Sequence, residues 1–286
     1  MKKIQKILFP TDFSPVAQNA FRYAILLADE LAASVQLLHV VYPQAEPLDF
    51  PVVATQATQQ QVGAAETIMK RMVEETLVQI QINHELKNKP VILPDVEIGT
   101  PTSMISRVAE REEVDLIVMG TKGEHNMIEK TFGQVSLGTV KNTPAPVLLI
   151  PENATFKPVK TLAYASNLLD SDVYYIWQTL QMMEPFQPAM KVIHVETDDI
   201  GKPEALENFQ QLFEGNPKAK HLSFHELEGD EVDVVLSGFI EAWDVDIMTL
   251  YAPSYGFFER IFHRSIGKKL LKITEIPLLF MKKSTM

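Results

Sequence analysis

The sequence predicts an α/β chain made of two tandem, doubly wound sheets, each of five parallel strands. Three observations carry that prediction. Short apolar runs alternate with helical patterns through the first half, and the second half repeats landmarks of the first. Between them lies a polar connector bounded by prolines, Pro151-Glu-Asn-Ala-Thr-Phe-Lys-Pro158.

The repeat is the stronger signal, because self-similarity at long period reports architecture before any element is assigned. Glu113-Val-Asp-Leu-Ile-Val-Met-Gly120 reappears as Asp244-Val-Asp-Ile-Met-Thr-Leu-Tyr251. Pro144-Ala-Pro-Val-Leu-Leu-Ile150 is echoed by Glu275-Ile-Pro-Leu-Leu-Phe280, and Leu37-Leu-His-Val40 by Val192-Ile-His-Val195. The expected domains are therefore 1–150 and a shorter 159–286, with 151–158 as linker.

Within the first half, Ile4–Phe9 reads as a buried strand. Ser14 then caps a helix whose first position is Pro15. Ala17, Phe21, Ala24, Ala28 and Leu31 mark its inward face. Val35–Val41 is the second strand. A proline-containing loop leads to a long polar-faced helix with Val62, Ile68, Met72 and Ile80 as its apolar positions. Val91–Ile98 is the third strand, and Gly99-Thr-Pro101 turns into a helix containing Ile105 and Val108. Leu116–Met119 and Val147–Ile150 are the fourth and fifth strands, with a helix between them. Each crossover is right-handed and packs back on the sheet, so both faces are covered. The expected strand order is 3-2-1-4-5. It reverses once, which opens a crevice beyond the ends of strands one and four. Pro10-Thr-Asp12 and Gly120-Thr-Lys-Gly123 sit there.

Composition narrows the function classes. The 286 residues are 46% apolar and 22% charged, a composition with ample core material. A formal net charge of −11 argues against a general nucleic-acid binder, which needs net Lys/Arg to neutralise phosphates. There is no cysteine, which removes disulfides, thiolate metal sites and cysteine nucleophiles. No apolar run reaches the roughly 18 residues that span a bilayer. The opening Met1-Lys-Lys-Ile-Gln-Lys-Ile-Leu-Phe-Pro10 is too broken for a signal peptide. A cytoplasmic location is the expectation.

Four of the twelve glycines fall between positions 120 and 138. Met119-Gly120-Thr-Lys-Gly123 follows strand four directly, and Gly133-Gln134-Val135-Ser136 opens the next helix, a Gly-x2-Gly-x9-Gly spacing. Glycine lets backbone approach a ligand closely, and the free N–H groups of a helix start face an anion. A phosphate chain is the natural guest, and a ligand-free glycine turn is the competing reading. Neither a Walker A loop nor the dinucleotide fingerprint is present.

Together these residues resemble the ATP-binding branch of the universal stress protein family. Ile7-Leu-Phe-Pro-Thr-Asp12-Phe-Ser14 is similar to its first strand and loop. Leu38-His-Val40, Gly99-Thr-Pro101, Asp115-Leu-Ile-Val-Met-Gly120 and Pro146-Val-Leu-Leu-Ile150 are similar to its other landmarks. The resemblance covers nearly all of residues 2–151 and, more faintly, the second half. It implies adenine and ribose contacts from Pro10, Thr11, Asp12 and the Val40 backbone. For the phosphates it implies Gly120, Gly123 and Gly133, with donors from Gln134, Val135 and Ser136, and Met119 is counted among the nucleotide-binding positions. The family usually has Ser or Thr after the third glycine, where this chain has Gln134; Ser136 offers a hydroxyl two residues on. Lys122 has two readings, a phosphate contact or a solvated loop lysine. So has Asp12, as a ligand acceptor or as the organiser of the turn before the helix. His39 and His194 read as hydrogen-bonded structural histidines.

In the second half, Tyr251, Ser254 and Arg264 stand where the three glycines stood, and Asn167 and Ala165 replace Asp12 and Pro10. No ATP of the same pose is expected there. The family resemblance implies pairing through the fifth strands, Val147–Ile150 and Leu278–Met281. In one chain that pairing becomes an intramolecular pseudo-dimer, with further homo-oligomers open. Arg260, Arg264, Lys268, Lys269 and Lys272 form a basic stripe, either a solvated face or an acceptor of an acidic partner.

No nucleophile elbow, zinc motif or carboxylate cluster appears, so an enzyme is not expected. Slow hydrolysis of ATP held with Mg²⁺ is not excluded by the residues. The leading expectation is an adenine-nucleotide-binding regulatory or stress-survival protein with ATP, with or without Mg²⁺, as cofactor and an unidentified protein partner. The alternative is a nucleotide-free interaction scaffold.

Overall fold

The computed structural model describes residues 3–43, 51–121, 133–196, 205–229, 231–251 and 275–282, with backbone alone at 51–54 and 233. The Lys122–Phe132 segment, with Lys122 and Gly123, lies outside them, as do Ser254, Arg264 and the basic stripe. The chain divides into two compact units, Ile4–Phe156 and Lys157–Lys283.

The first unit contains β1 (Lys6–Thr11), α1 (Pro15–Leu31), β2 (Ser34–Val41), α2 (Pro51–Asn83), β3 (Ile92–Ile98), α3 (Pro101–Arg111), β4 (Leu116–Gly120), α4 (Gln134–Asn142) and β5 (Val147–Ile150). Its strands lie in the order β3-β2-β1-β4-β5, all parallel. The second unit contains β6 (Thr161–Ala165), α5 (Asp170–Met182), β7 (Ala189–Glu196), α6 (Ala205–Gln211), β8 (Leu222–Glu228), α7 (Val232–Ala242), β9 (Ile247–Tyr251) and β10 (Leu278–Met281). Its order β8-β7-β6-β9-β10 is the same winding, again parallel. Doubly wound 3-2-1-4-5 sheets are therefore present in both units.

Local chemistry explains α1. The Ser14 hydroxyl accepts a hydrogen bond from the Ala17 amide at 3.2 Å, and Pro15 occupies the first helical position. Ala17, Phe21, Ala24 and Ala28 are buried as their spacing predicts, and Leu31 at the helix end is half-buried. In α2 the periodicity was only partly legible. Its buried face is Ala65, Met69, Met72, Thr76 and Ile80, whereas Ile68 is 46% exposed and Val62 half-buried. The inward stripe passes through the smaller Ala65 and the more flexible Met69, which turns the β-branched Ile68 to the solvent side. The first strand also begins two residues later than its apolar run, because Ile4 is buried ahead of the ladder.

The duplication extends to the backbone. Left-handed residues occur at Phe13 and Leu168 (φ 64° and 57°), Ala32 and Gln187 (52° and 48°), and Glu113 and Asp244 (51° and 44°). Asp115 accepts from the Gln5 and Lys6 amides at 2.8 and 3.0 Å, and Asp246 from those of Lys160 and Thr161 at 2.6 and 2.8 Å. One carboxylate thus ties the start of the central strand to its neighbour in each unit. The strand-three exits match as well, with Gly99 at φ +154° and Gly229 at φ +159°. A Cβ on Gly99 would come within 2.8 Å of the Met104 Cγ. Gly99→Ala is expected to cost about 1–2 kcal/mol in chemical denaturation, from backbone strain and this contact together.

The segment after β5 is held against α1. Asn19 Nδ2 donates to the carbonyls of Glu152 and Ala154 at 3.0 and 2.9 Å. The Phe156 ring meets Tyr23 edge-on, with centroids 5.2 Å apart.

Candidate functional site

In the first unit the parallel register assembles the crevice. Ile7 pairs with Leu116 and Leu8 with Ile117, so one-for-one continuation brings Thr11 level with Gly120. On the other side Thr11 pairs with His39, which sets Val40 one residue beyond. Pro10, Thr11, Asp12, Val40, Met119 and Gly120 therefore converge at the carboxyl end of the sheet, where the strand order reverses.

Three contacts shape the β1 end. Thr11 is buried, and its hydroxyl oxygen accepts from the Phe13 amide at 3.0 Å. Asp12 Oδ1 accepts from the Ser14 amide at 3.1 Å, which gives its carboxylate a turn-organising role in addition to any contact with a ligand. His39 Nδ1 lies 2.9 Å from the Thr11 carbonyl, which can only accept, so the ring donates there. The same ring stacks on Phe13, centroids 4.3 Å apart. His194 repeats the bond in the second unit, to the Ser166 carbonyl at 3.1 Å. Both histidines thus tie one strand end to the next through a backbone carbonyl.

The β4 end meets α4 directly. Gly133 caps α4 in an extended conformation without a side-chain hydrogen bond, and its amide donates to the Thr121 carbonyl at 2.7 Å. Thr121 is itself held by its amide to the Ile150 carbonyl at 3.1 Å. The amides of Gln134, Val135 and Ser136 open the helix, where backbone donors have no intrahelical acceptor. No acidic residue lies in that first turn. The helix start thus offers convergent donors and the positive end of a dipole, the features that hold phosphate. Gln134 and Val135 are exposed, whereas Ser136 is buried and its hydroxyl donates to the Gly120 carbonyl at 3.0 Å. The sequence offers that hydroxyl to a phosphate. The fold commits its proton to Gly120 instead, leaving the Ser136 backbone amide as its donor toward an anion.

Sequence reasoning missed Phe13 and Thr121. Phe13 takes a left-handed conformation that nothing in its residue type announces. Thr121 sits inside the glycine segment and anchors both of its ends, a role visible only once β5 is in place.

The same crevice is filled in the second unit. Leu169 stands where Ser14 stood and cannot cap, and Asp172 in the first turn of α5 takes over. Its buried carboxylate accepts from the Tyr164 hydroxyl (3.0 Å), the Ser166 hydroxyl (2.7 Å) and the amides of Asn167 (3.2 Å) and Leu169 (3.3 Å). Burial, and then the Asp172 charge, push the Tyr164 phenol well above its ordinary range. Tyr251, at the position of Gly120, stacks on Tyr175 with centroids 4.0 Å apart. Burial, and then a hydrogen bond to Tyr251 that favours the neutral hydroxyl, raise the Tyr175 phenol too. Where the first unit presents a glycine and backbone donors, the second presents a closed tyrosine–carboxylate cluster.

Two concavities lie elsewhere in the first unit. One of about 620 Å³ is bounded by the end of α2 and the following loop, including Leu77, Ile82, His84 and Leu86. The other, of about 340 Å³, includes Lys6, Asp95, Arg111 and Glu112. It is crossed by the ion pairs of Arg111 with Glu97 at 2.7 Å and Glu112 at 3.2 Å. Among the described residues no group of three or more His, Asp or Glu is arranged to hold a metal ion. No described helix is long and apolar enough to cross a membrane.

A sequence model of the universal stress protein family matches residues 3–151. The chain is 30% identical over 152 residues to a universal stress protein of Methanocaldococcus jannaschii, a stretch covering 51% of this chain and 94% of that protein. A universal stress protein of Synechocystis is 21% identical over 298 residues, covering 96% of this chain and 99% of the relative. The crystal structure of a universal stress protein from Archaeoglobus fulgidus matches 98% of this chain and 97% of its own, with a TM-score of 0.69 and 14% identity, a likeness of fold. With a family match over more than half its length and the family's landmarks at the switch point of the sheet, the chain belongs to the universal stress protein family.

Proposed function

We propose that the first unit binds an adenine nucleotide, ATP foremost, and that the chain serves as a nucleotide-responsive regulator. The observation that carries this reading is the start of α4. Its first-turn amides open beside the end of β4 with no side-chain cap and no acidic residue. Gly120 and Gly133 leave that approach without side chains. Phosphates would rest on the amides of Gln134, Val135 and Ser136, joined by Gly123 and Lys122. The adenosine end would meet Pro10, Thr11, Asp12 and the Val40 backbone.

The role is binding and release rather than catalysis. The Asp12 carboxylate holds the Ser14 amide, and the His39 ring donates from Nδ1 to the Thr11 carbonyl while stacking on Phe13, so both side chains shape the loop that receives the adenosine end. Mg²⁺, where it takes part, would ride on the phosphates. The second unit is proposed as a partner that does not bind nucleotide in this pose, because Asp172 and Tyr251 fill its crevice.

The test is to denature freshly purified protein, chromatograph the supernatant for adenine nucleotide, and melt the protein with and without Mg-ATP. Ligand at 100 times its dissociation constant adds about 2.7 kcal/mol. For a domain of this size that raises the melting temperature on the order of 5–10 °C. Gly123→Val is expected to abolish both signals. Absence of nucleotide together with absence of a shift would overturn the reading and leave a scaffold.

A further inference from the structure

A second cluster lies on one face of β7 and β8 near their amino ends, away from the carboxyl-end crevice. Lys191 of β7 is in register with Ser223 of β8, and His225 follows on the same face of the strand. The Ser223 hydroxyl oxygen is 2.9 Å from His225 Nε2. The end of α7 covers the cluster, with the Phe239 and Trp243 rings 5.1 and 5.3 Å from the imidazole. Lys191 Nζ stands 3.5 Å from the centre of the Trp243 ring, and Trp243 is 46% exposed.

The corresponding place in the first unit is electrostatically closed. There Gln36 Nε2 donates to Asp95 Oδ2 at 3.0 Å. Arg111 pairs with Asp95, Glu97 and Glu112 at 3.7, 2.7 and 3.2 Å. By strand and helix register Gln36 corresponds to Lys191, Leu93 to Ser223, Asp95 to His225, and Glu112 to Trp243. Ala242 stands in place of Arg111. The duplication has thus exchanged two acids for an imidazole and an indole, and an amide for an ammonium. Among the described residues no carboxylate pairs with Lys191.

Burial lowers the Lys191 ammonium below its ordinary range. Burial and then the Lys191 charge lower the His225 imidazole. The cluster therefore joins one half-buried ammonium to a histidine of lowered basicity, a hydroxyl and an open indole. A dianion would be undercompensated there, and a bare small anion would leave the indole in water.

We propose that this cluster is a binding site for a small aromatic carboxylate, with the carboxylate on Lys191 Nζ and the Ser223 hydroxyl and the ring against Trp243. His225 Nε2 can donate to the Ser223 oxygen, which frees the hydroxyl proton for the ligand. A charge-assisted bond to the Lys191 ammonium supplies the orientation, and the aromatic contact supplies selectivity for a flat body.

The chain has two tryptophans, so Trp177→Phe leaves Trp243 as the sole indole emitter. In that background benzoate is the probe, with acetate and benzamide as controls. The expected result is a saturable emission change with benzoate and at least about tenfold weaker binding of both controls, the loss for benzamide reflecting its missing charge. Lys191→Met should weaken benzoate by a similar factor while the protein melts as before. The His225 ring protons, followed by NMR in the unmodified chain, should shift along the same curve. No saturation by benzoate, equal binding of acetate, or unchanged binding in Lys191→Met would each overturn the proposal. If Lys191→Met does not fold, the benzoate–benzamide comparison in the unmodified chain decides alone.

Discussion

Asp172→Ala is expected to destabilise the second unit by about 3–5 kcal/mol, because truncation strands several buried donors at once. The carboxylate is buried and accepts from two hydroxyls and two amides. Alanine leaves the Tyr164 and Ser166 hydroxyls without their acceptor and removes the stand-in cap of α5. Asp172→Asn keeps one carbonyl oxygen and the volume, so its cost should be smaller, on the order of 2 kcal/mol. Both tryptophans, Trp177 and Trp243, belong to the second unit, so fluorescence-detected unfolding in urea reports on this unit. A loss under about 1 kcal/mol for the alanine variant would show that water replaces the carboxylate, and that the crevice is not closed as described.

Asp29→Ala is the larger effect expected in the first unit, about 2–4 kcal/mol. Asp29 is buried in the last turn of α1, and its carboxylate accepts from three successive amides, those of Lys87, Asn88 and Lys89, at 2.9, 2.7 and 2.9 Å. Asn88 Nδ2 returns a bond to the Asp29 carbonyl at 2.6 Å. This nest holds Lys89 at φ 50° and leads the chain from α2 into β3. Without it, amide exchange at 87–89 should rise towards that of an open loop while the α1 amides stay protected. The exposed Lys87–Glu30 pair over the same loop should matter little by comparison. If Lys87→Ala cost as much as Asp29→Ala, the assignment of the anchor to the carboxylate would be wrong.

Both anchors show where sequence reading stops. α1 was legible because everything that makes it is local: a serine cap, a proline at the first position, and apolar residues three and four apart. The strands were legible because each is a short apolar run bounded by turn residues, and their order followed from the handedness of crossovers. The repeat was legible because the strand and turn motifs recur in the same order. The crevice at the switch point was legible as a pair of segments, since both belong to strand ends that a doubly wound sheet must bring together.

What failed was any question about direction or partner. In α2, Ile68 and Met69 are neighbours in sequence, and only the sheet beneath decides which faces inward. Ser136 reads as a ligand hydroxyl until the Gly120 carbonyl is placed 3.0 Å away. Asp172 carried a faint signal, an acid in the first turn of a helix whose cap position is leucine, but its role depends on the buried Tyr164 and Ser166 beside it. Lys191, His225 and Trp243 come from two strands and a helix, and no spacing connects them.

The sequence by itself determined the two-unit α/β architecture, the strand order and the place of the crevice, because periodicity, turn chemistry and chain handedness act over a few residues or over whole topologies. The tertiary structure alone decided which donors face the first crevice and how Asp172 and Tyr251 are held at the second. That depends on hydrogen bonds within about 3 Å between groups whose approach is set by register and helix packing, a scale that residue order does not encode.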